Sequence, residues 1–119
     1  MASARTMVAG ERKIVVIDLS GAKLHEMVRV LQDARGMIRS EPPESVLTLT
    51  DVTGAHPTPA ITRMLKEFVR DNRPYVKAEA VVGMSALMKP IYDAVMLFSN
   101  RKIPAFSTRE EALQWLLSR

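Results

Sequence analysis

The chain has 119 residues, 47% of them apolar and 25% charged, with a formal net charge of +4 and no cysteine. That composition suits one globular domain and excludes a disordered or fibrous chain, a disulfide framework, a thiolate zinc site and a thiol nucleophile. The basic residues are scattered singly among acids, as in RMLKEFVRDNR, and do not interleave with aromatic side chains, so the positive excess describes a solvated surface and not a nucleic-acid platform.

The opening MASARTMVAGERK lacks the apolar core of a signal peptide, so a cytoplasmic location is expected. Residues 1–11 read as a flexible N-terminus or a short edge strand, with TMVAGERK folding back through a turn at Gly10 and Glu11. KIVVIDL (13–19) is continuous and β-branched, the pattern of a strand buried on both faces. From 22 to about 39, Leu24, Val28, Leu31 and Ile38 form a helical stripe that Met27, Val30, Ala34 and Met37 widen. Gly36 weakens the end of this helix, and the two prolines of SEPPES, which cannot donate a backbone N–H, stop it.

SVLTLT (45–50) alternates, with Leu47 and Leu49 on one side and Val46, Thr48 and Thr50 on the other. A helix from 59 to about 71 comes next, carrying Ile61, Met64, Leu65, Phe68 and Val69, with Thr58 as N-cap and Pro59 at its first position. VKAEAVVG (76–83) sets Lys77 and Glu79 opposite Ala78 and Ala80, which implies a wetter face on part of the sheet. Pro90 cannot sit inside a helix, so the third helix is expected to begin near Lys89 and Pro90, leaving MSALM as an irregular or 3₁₀ turn. The longest apolar run, 94–98, lies in this helix and is too short to span a bilayer. IPAF (103–106) contains Pro104 and belongs at a sheet edge. STREEALQWLLSR has Thr108 and Glu111 at capping-box spacing ahead of Leu113, Trp115, Leu116 and Leu117. No internal repeat, linker or low-complexity tract is evident. Strand then helix, four times over, predicts a single α/β domain over residues 12–119 with a mostly parallel sheet.

Parallel sheets bind ligands outside the carboxyl ends of their strands. Four segments therefore converge on one rim: DLSGAK (18–23), DVTGAHPTP (51–59), VGMSALMKP (82–90) and AFSTRE (105–110). The candidate binding residues are Asp51, Thr53, Gly54, His56 and Thr58 from the second segment, and Gly83, Met84, Ser85, Leu87 and Met88 from the third. Helix N-termini there suit an anionic group such as a phosphate or carboxylate. Simpler roles also fit: Ser20, Thr58, Ser85 and Thr108 as helix N-caps, Asp51 as a turn acceptor, His56 as a turn side chain and His25 facing water. No set of three convergent His, Asp or Glu ligands is evident, so no metal is expected. The nucleophile elbow, the P-loop spacing and the dinucleotide fingerprint are missing, so neither a catalytic set nor a cofactor is expected. Met84, Leu87 or Met88, with Ile91, Tyr92, Val95, Met96 and Phe98, make more apolar surface than one helix face needs. It suits a partner, a ligand groove or a homodimer through the third helix, or else a helix wedged between two others.

IVVIDLSG, VLTLTDVTG, YVKAEAVVGMSALMK and FSNRKIPAFSTREEALQWL, in this order and spacing, resemble the bacterial SpoIIAA-like family of stand-alone STAS-type domains, related in fold to anti-sigma-factor antagonists and more remotely to lipid-binding CRAL-TRIO domains. The resemblance covers about residues 12–118 and implies a four-turn β-α superhelix, with an extra N-terminal antiparallel strand in many members. In the antagonists an Asp-Ser-Ser-Gly segment follows a strand, and a partner kinase phosphorylates its second serine. Asp51, Thr53 and Gly54 match that segment, which puts Thr53 at the acceptor position, while Ala55-His56-Pro57-Thr58-Pro59 intervenes before the helix. The expected function is a non-enzymatic regulatory or binding module that engages a protein partner or small ligand at the rim. One alternative is a carrier of apolar small molecules or lipids using Met84, Leu87, Met88 and Phe98; another is a hydrolase in which Asp51 and His56 serve a hydroxyl from Thr53 or Ser85.

Overall fold

The computed structural model describes residues 2–119. In chain order its elements are β1 (Ser3–Ala9), β2 (Arg12–Asp18), α1 (Leu24–Arg39), β3 (Val46–Asp51), α2 (Pro59–Asn72), β4 (Val76–Val82), α3 (Lys89–Ser99), β5 (Ala105–Phe106) and α4 (Arg109–Leu117). The five strands form one sheet in the order β1-β2-β3-β4-β5. β1 is antiparallel to β2, and the other pairs are parallel. The extra N-terminal strand is therefore present, turning at Gly10, whose φ of +62° suits a residue without a β-carbon. β5, shortened to two residues after Pro104, is the opposite edge, as proline requires.

Alternation of side chains divides the core into two layers. Val15, Ile17, Val46 and Val81 face α1, α2 and α3, while Ile14, Val16, Leu47, Leu49, Ala78 and Ala80 face α4, chiefly Ala112 and Leu116. Both faces of β2 are thus dry, as its unbroken β-branched run predicts.

The wetter face expected on β3 and β4 is absent at two positions. Thr48 is 3% exposed and Glu79 8% exposed, because three helices roof that side of the sheet. Glu79 is kept there by Arg101, whose Nε lies 2.9 Å from Glu79 Oε2 and whose guanidinium also donates to the Val76 carbonyl. The buried stripe of α1 also differs from the expected one. It runs through Met27, Val30, Leu31, Ala34 and Ile38, leaving Leu24 and Val28 exposed, because the helix turns its 27/34/38 line to the sheet. α3 begins at Lys89, ahead of Pro90, and the turn before it is held by Ser85, whose Oγ accepts the Met88 N–H. Met88 itself is buried with Ile91 and Val95, so of the methionine and leucine side chains expected to be exposed at this turn only Leu87 is fully so. α3 packs on α2, and that neighbour takes up the apolar residues nearest the sheet.

Strand register sets the geometry of the rim. Asp18 pairs with Asp51 at the ends of β2 and β3, and Asp51 pairs with Val82 at the end of β4. Three consecutive strands therefore stop level with one another.

Candidate functional site at the carboxyl rim

β2 and β3 leave the sheet through the same four-residue device. Asp18-Leu19-Ser20-Gly21 and Asp51-Val52-Thr53-Gly54 each carry an aspartate, a hydroxyl two residues later and a glycine at positive φ, +62° and +72°. Ser20 donates its N–H (3.0 Å) and its hydroxyl (2.5 Å) to Asp18 Oδ1. Thr53 does the same to Asp51 Oδ1, at 2.9 and 2.7 Å. One carboxylate oxygen thus closes the turn and aims the hydroxyl, the usual Asx-turn use of aspartate. The backbones also tie together: Leu19 N–H donates to Asp51 O at 2.8 Å, Gly21 N–H to Thr53 O at 3.0 Å and Val52 N–H to Val82 O at 3.0 Å.

Two carboxylates at paired register repel each other, and the fold sets a cation between them. Arg109, the first residue of α4, donates from Nε (3.2 Å) and Nη2 (2.8 Å) to Asp51 Oδ2, and from Nη2 (3.2 Å) to Asp18 Oδ2. An arginine at a helix N-terminus opposes the macrodipole, so this placement makes sense only through the two aspartates it meets and the acidic Glu110 and Glu111 beside it. Burial by itself would raise both carboxyls; the hydrogen bonds from Ser20 or Thr53, and then those from Arg109, outweigh it and hold Asp18 and Asp51 below the usual carboxylate range. Asp51 is 8% exposed, whereas Thr53 is open to solvent.

The other residues expected at the site divide into three groups. Gly54 faces the Gly21 backbone, and Gly83, at φ +79°, lies directly against Thr53; both belong to the cluster. His56 and Thr58 lead away from it: His56 is exposed, and Thr58 caps α2 by accepting the Ile61 N–H at 3.1 Å. Ser85 closes its own turn, Leu87 points outward, and Met84 and Met88 line a cavity behind the rim. Ser20 is not an N-cap. α1 starts after Lys23, whose N–H is taken by Glu26 Oε1 at 3.0 Å. Asp51 gives one oxygen to Thr53 and the other to Arg109, and among the described residues it has no bond to His56, so the hydrolase arrangement does not form. No group of three or more His, Asp or Glu among the described residues could hold a metal ion.

Asp18, Ser20 and Arg109 belong to the site: their segments, 18–23 and 105–110, are expected on the rim, but none of the three is among the candidate binding residues. The signal for the first two is a recurrence of Asp-x-Ser/Thr-Gly after consecutive strands, an internal repeat too short to stand out as one. The expected rim position of 105–110 brings Arg109 near, but no residue pattern pairs it with the aspartates, since only packing of α4 under the sheet sets its guanidinium on residues 58 and 91 positions away.

Two concavities lie near the rim, neither of them lined by Asp18, Asp51, Thr53 or Arg109. A cavity of about 70 Å³ lies between the sheet, α2 and α3, apolar but for Glu79, Thr50 and Tyr92, whose hydroxyl donates to the Ile103 carbonyl. An open groove of about 580 Å³ runs from Pro57 and Thr58 along α2 to Ile91 and Phe98. Lys66 Nζ and Arg70 Cζ stand 5.6 and 5.3 Å from the centre of the Phe98 ring.

No family model matches the sequence, and no curated protein matches it. The structure is similar to that of an anti-sigma-factor antagonist (STAS) domain protein from Planctomyces limnophilus, with a TM-score of 0.63 and 13% identity over 98% of this chain and 99% of that one. The fold is therefore the SpoIIAA-like STAS fold, in its form with an added antiparallel strand. No helix among the described residues is long and apolar enough to cross a membrane.

Proposed function

We propose that this chain is a non-enzymatic regulatory module of the STAS type, working in the cytoplasm, that engages a protein partner at the carboxyl rim and is switched by phosphorylation of Thr53. What carries the proposal is the state of Thr53: exposed, with its hydroxyl bonded to Asp51 and its backbone backed by Gly83, in a fold shared with an anti-sigma-factor antagonist domain protein. A hydroxyl so presented can reach a kinase, and a phosphoryl group there adds nearly two negative charges at a contact surface. The groove that starts at Pro57 and Thr58, with Lys66 and Arg70 over the Phe98 ring, offers such a partner an apolar anchor edged by positive charge.

The test is incubation with ATP and the anti-sigma-factor kinases of the same cell. Mass spectrometry should find phosphate on Thr53 and none in Thr53→Ala, and Thr53→Glu should weaken binding to the kinase that modifies it. No phosphate at Thr53, with unchanged binding of Thr53→Glu, removes the switch.

The 70 Å³ cavity supports a second function, carriage of a small apolar molecule, at a place other than the exposed surface that the sequence suggests. Met84 and Met88 line it, Leu87 does not, and Phe98 belongs to the groove. Native mass spectrometry of protein purified from its source should then show a bound apolar ligand that Val81→Phe, which enlarges a side chain on the cavity's side of the sheet, excludes; ligand-free protein in every preparation removes this function.

A further inference from the structure

We propose that Arg109 is the residue that holds a phosphoryl group on Thr53, and that in taking it Arg109 abandons the bridge between Asp18 and Asp51. This rests on Thr53 as the modified residue and adds how its charge is read. In the unmodified protein, Thr53 Oγ1 and the Arg109 guanidinium sit on the two oxygens of a single carboxylate, at 2.7 Å on Oδ1 and 2.8 Å on Oδ2 of Asp51. A phosphoryl group on Oγ1 removes the proton donated to Asp51 and sets a dianion beside that carboxylate. Arg109 is the cation bonded at this position, at the head of a helix whose neighbouring residues Glu110 and Glu111 are acidic.

The contest for Arg109 is unequal. Each aspartate carries one charge, and Asp51 Oδ1 still accepts the Thr53 backbone N–H, whereas the phosphate brings up to two charges and three acceptor oxygens that suit the guanidinium fork. Arg109 is partly exposed and sits on the first turn of α4, so its side chain can swing without moving Ala112 and Leu116, the buried anchors of that helix. Asp18 then loses its only salt-bridge partner among the described residues, with Asp51 in paired register beside it and the phosphate next to that. Repulsion falls on the turn at Asp18 to Gly21, which is tied to Thr53 through Gly21 N–H and Thr53 O. Charge placed at the second rim loop is thereby conveyed to the first, which Thr53 substitution alone would not predict.

Phosphoserine encoded genetically at position 53, with Thr53→Ser as the unmodified reference, tests this without any kinase, so it stands or falls separately from whether a kinase modifies the site. The phosphorus resonance, followed through its second ionisation near pH 6, should titrate at least about half a unit lower with Arg109 present than with Arg109→Gln. The Arg109 Nε–H resonance should move on phosphorylation, and the Ser20 and Gly21 amides should move with it in the Arg109 protein only. If Arg109→Gln does not fold, Arg109→Lys, which keeps the charge but loses the fork, should titrate its phosphate higher than the parent does and lose the Ser20 response. Identical phosphorus titrations in parent and variant, or a phosphorylated protein whose Arg109 Nε–H and Ser20 signals stay at their unmodified positions, overturn the proposal.

Discussion

Gly83 stands so close to Thr53 that a β-carbon on it would lie 2.1 Å from Thr53 Oγ1 and 2.6 Å from its backbone nitrogen. The third rim loop therefore presses its bare backbone against the hydroxyl that the second loop presents. A methyl group at position 83 must expel Thr53 and also adopt a positive φ of +79°. Gly83→Ala is expected to cost about 3 kcal/mol in urea unfolding, overpacking and backbone strain together. Gly21→Ala, with the same strain at φ +62° and nothing within 4 Å, should cost about 1 kcal/mol. Equal losses for the two would mean that the contact with Thr53 contributes nothing.

Arg109→Gln leaves Asp18 and Asp51 in paired register without a cation. After allowance for solvent screening of a partly exposed arginine, the expected loss is roughly 1 kcal/mol at pH 7. Both carboxyls are held below their ordinary range when folded, so their contribution is complete above about pH 4 and disappears as the pH falls through the folded values. Parent and variant should therefore converge in stability at acid pH. A gap as wide at pH 3 as at pH 7 would exclude charge as its cause.

The buried pair of Glu79 and Arg101 should respond in the opposite sense. Burial raises the Glu79 carboxyl and Arg101 only partly offsets that, so the folded protein binds this proton more readily than the unfolded chain does. Stability from this group falls as pH rises through the window above the ordinary glutamate value, and removing Arg101 widens the window. Arg101→Met is expected to cost about 3 kcal/mol at pH 7 and less at pH 5, with the double variant Glu79→Leu/Arg101→Met recovering most of the loss. Denaturant melts at the two pH values decide it, and a loss that does not shrink on acidification counts against the buried charge.

A homodimer through α3 would bury Leu97 and Phe98, which are 85% and 46% exposed. Light scattering should then report twice the monomer mass for the parent and a monomer for Leu97→Asp, at unchanged thermal stability. A parent that is monomeric throughout the micromolar range ends that expectation.

The elements and their order can be read in the residues because their signals are local. The β-branched run of β2, the Thr58 and Thr108 caps and the helix start imposed by Pro90 each act within a few positions of the chain, and each is found where expected. The burial of Glu79 and Met88 cannot be read this way, since a charged residue in an alternating strand and a methionine before a helix look the same whether or not other helices cover them.

Residue pattern alone was enough to specify a βα-alternating domain with Asp51, Thr53 and Gly54 in a strand-to-helix turn on the rim. It took the packed fold to establish that this turn has a twin at Asp18, Ser20 and Gly21, that Gly83 backs it, and that Arg109 joins the two aspartates. Turn geometry is set by neighbouring residues, whereas an ion pair between residues 58 or 91 apart exists only once parallel strands end level and a helix packs beneath them.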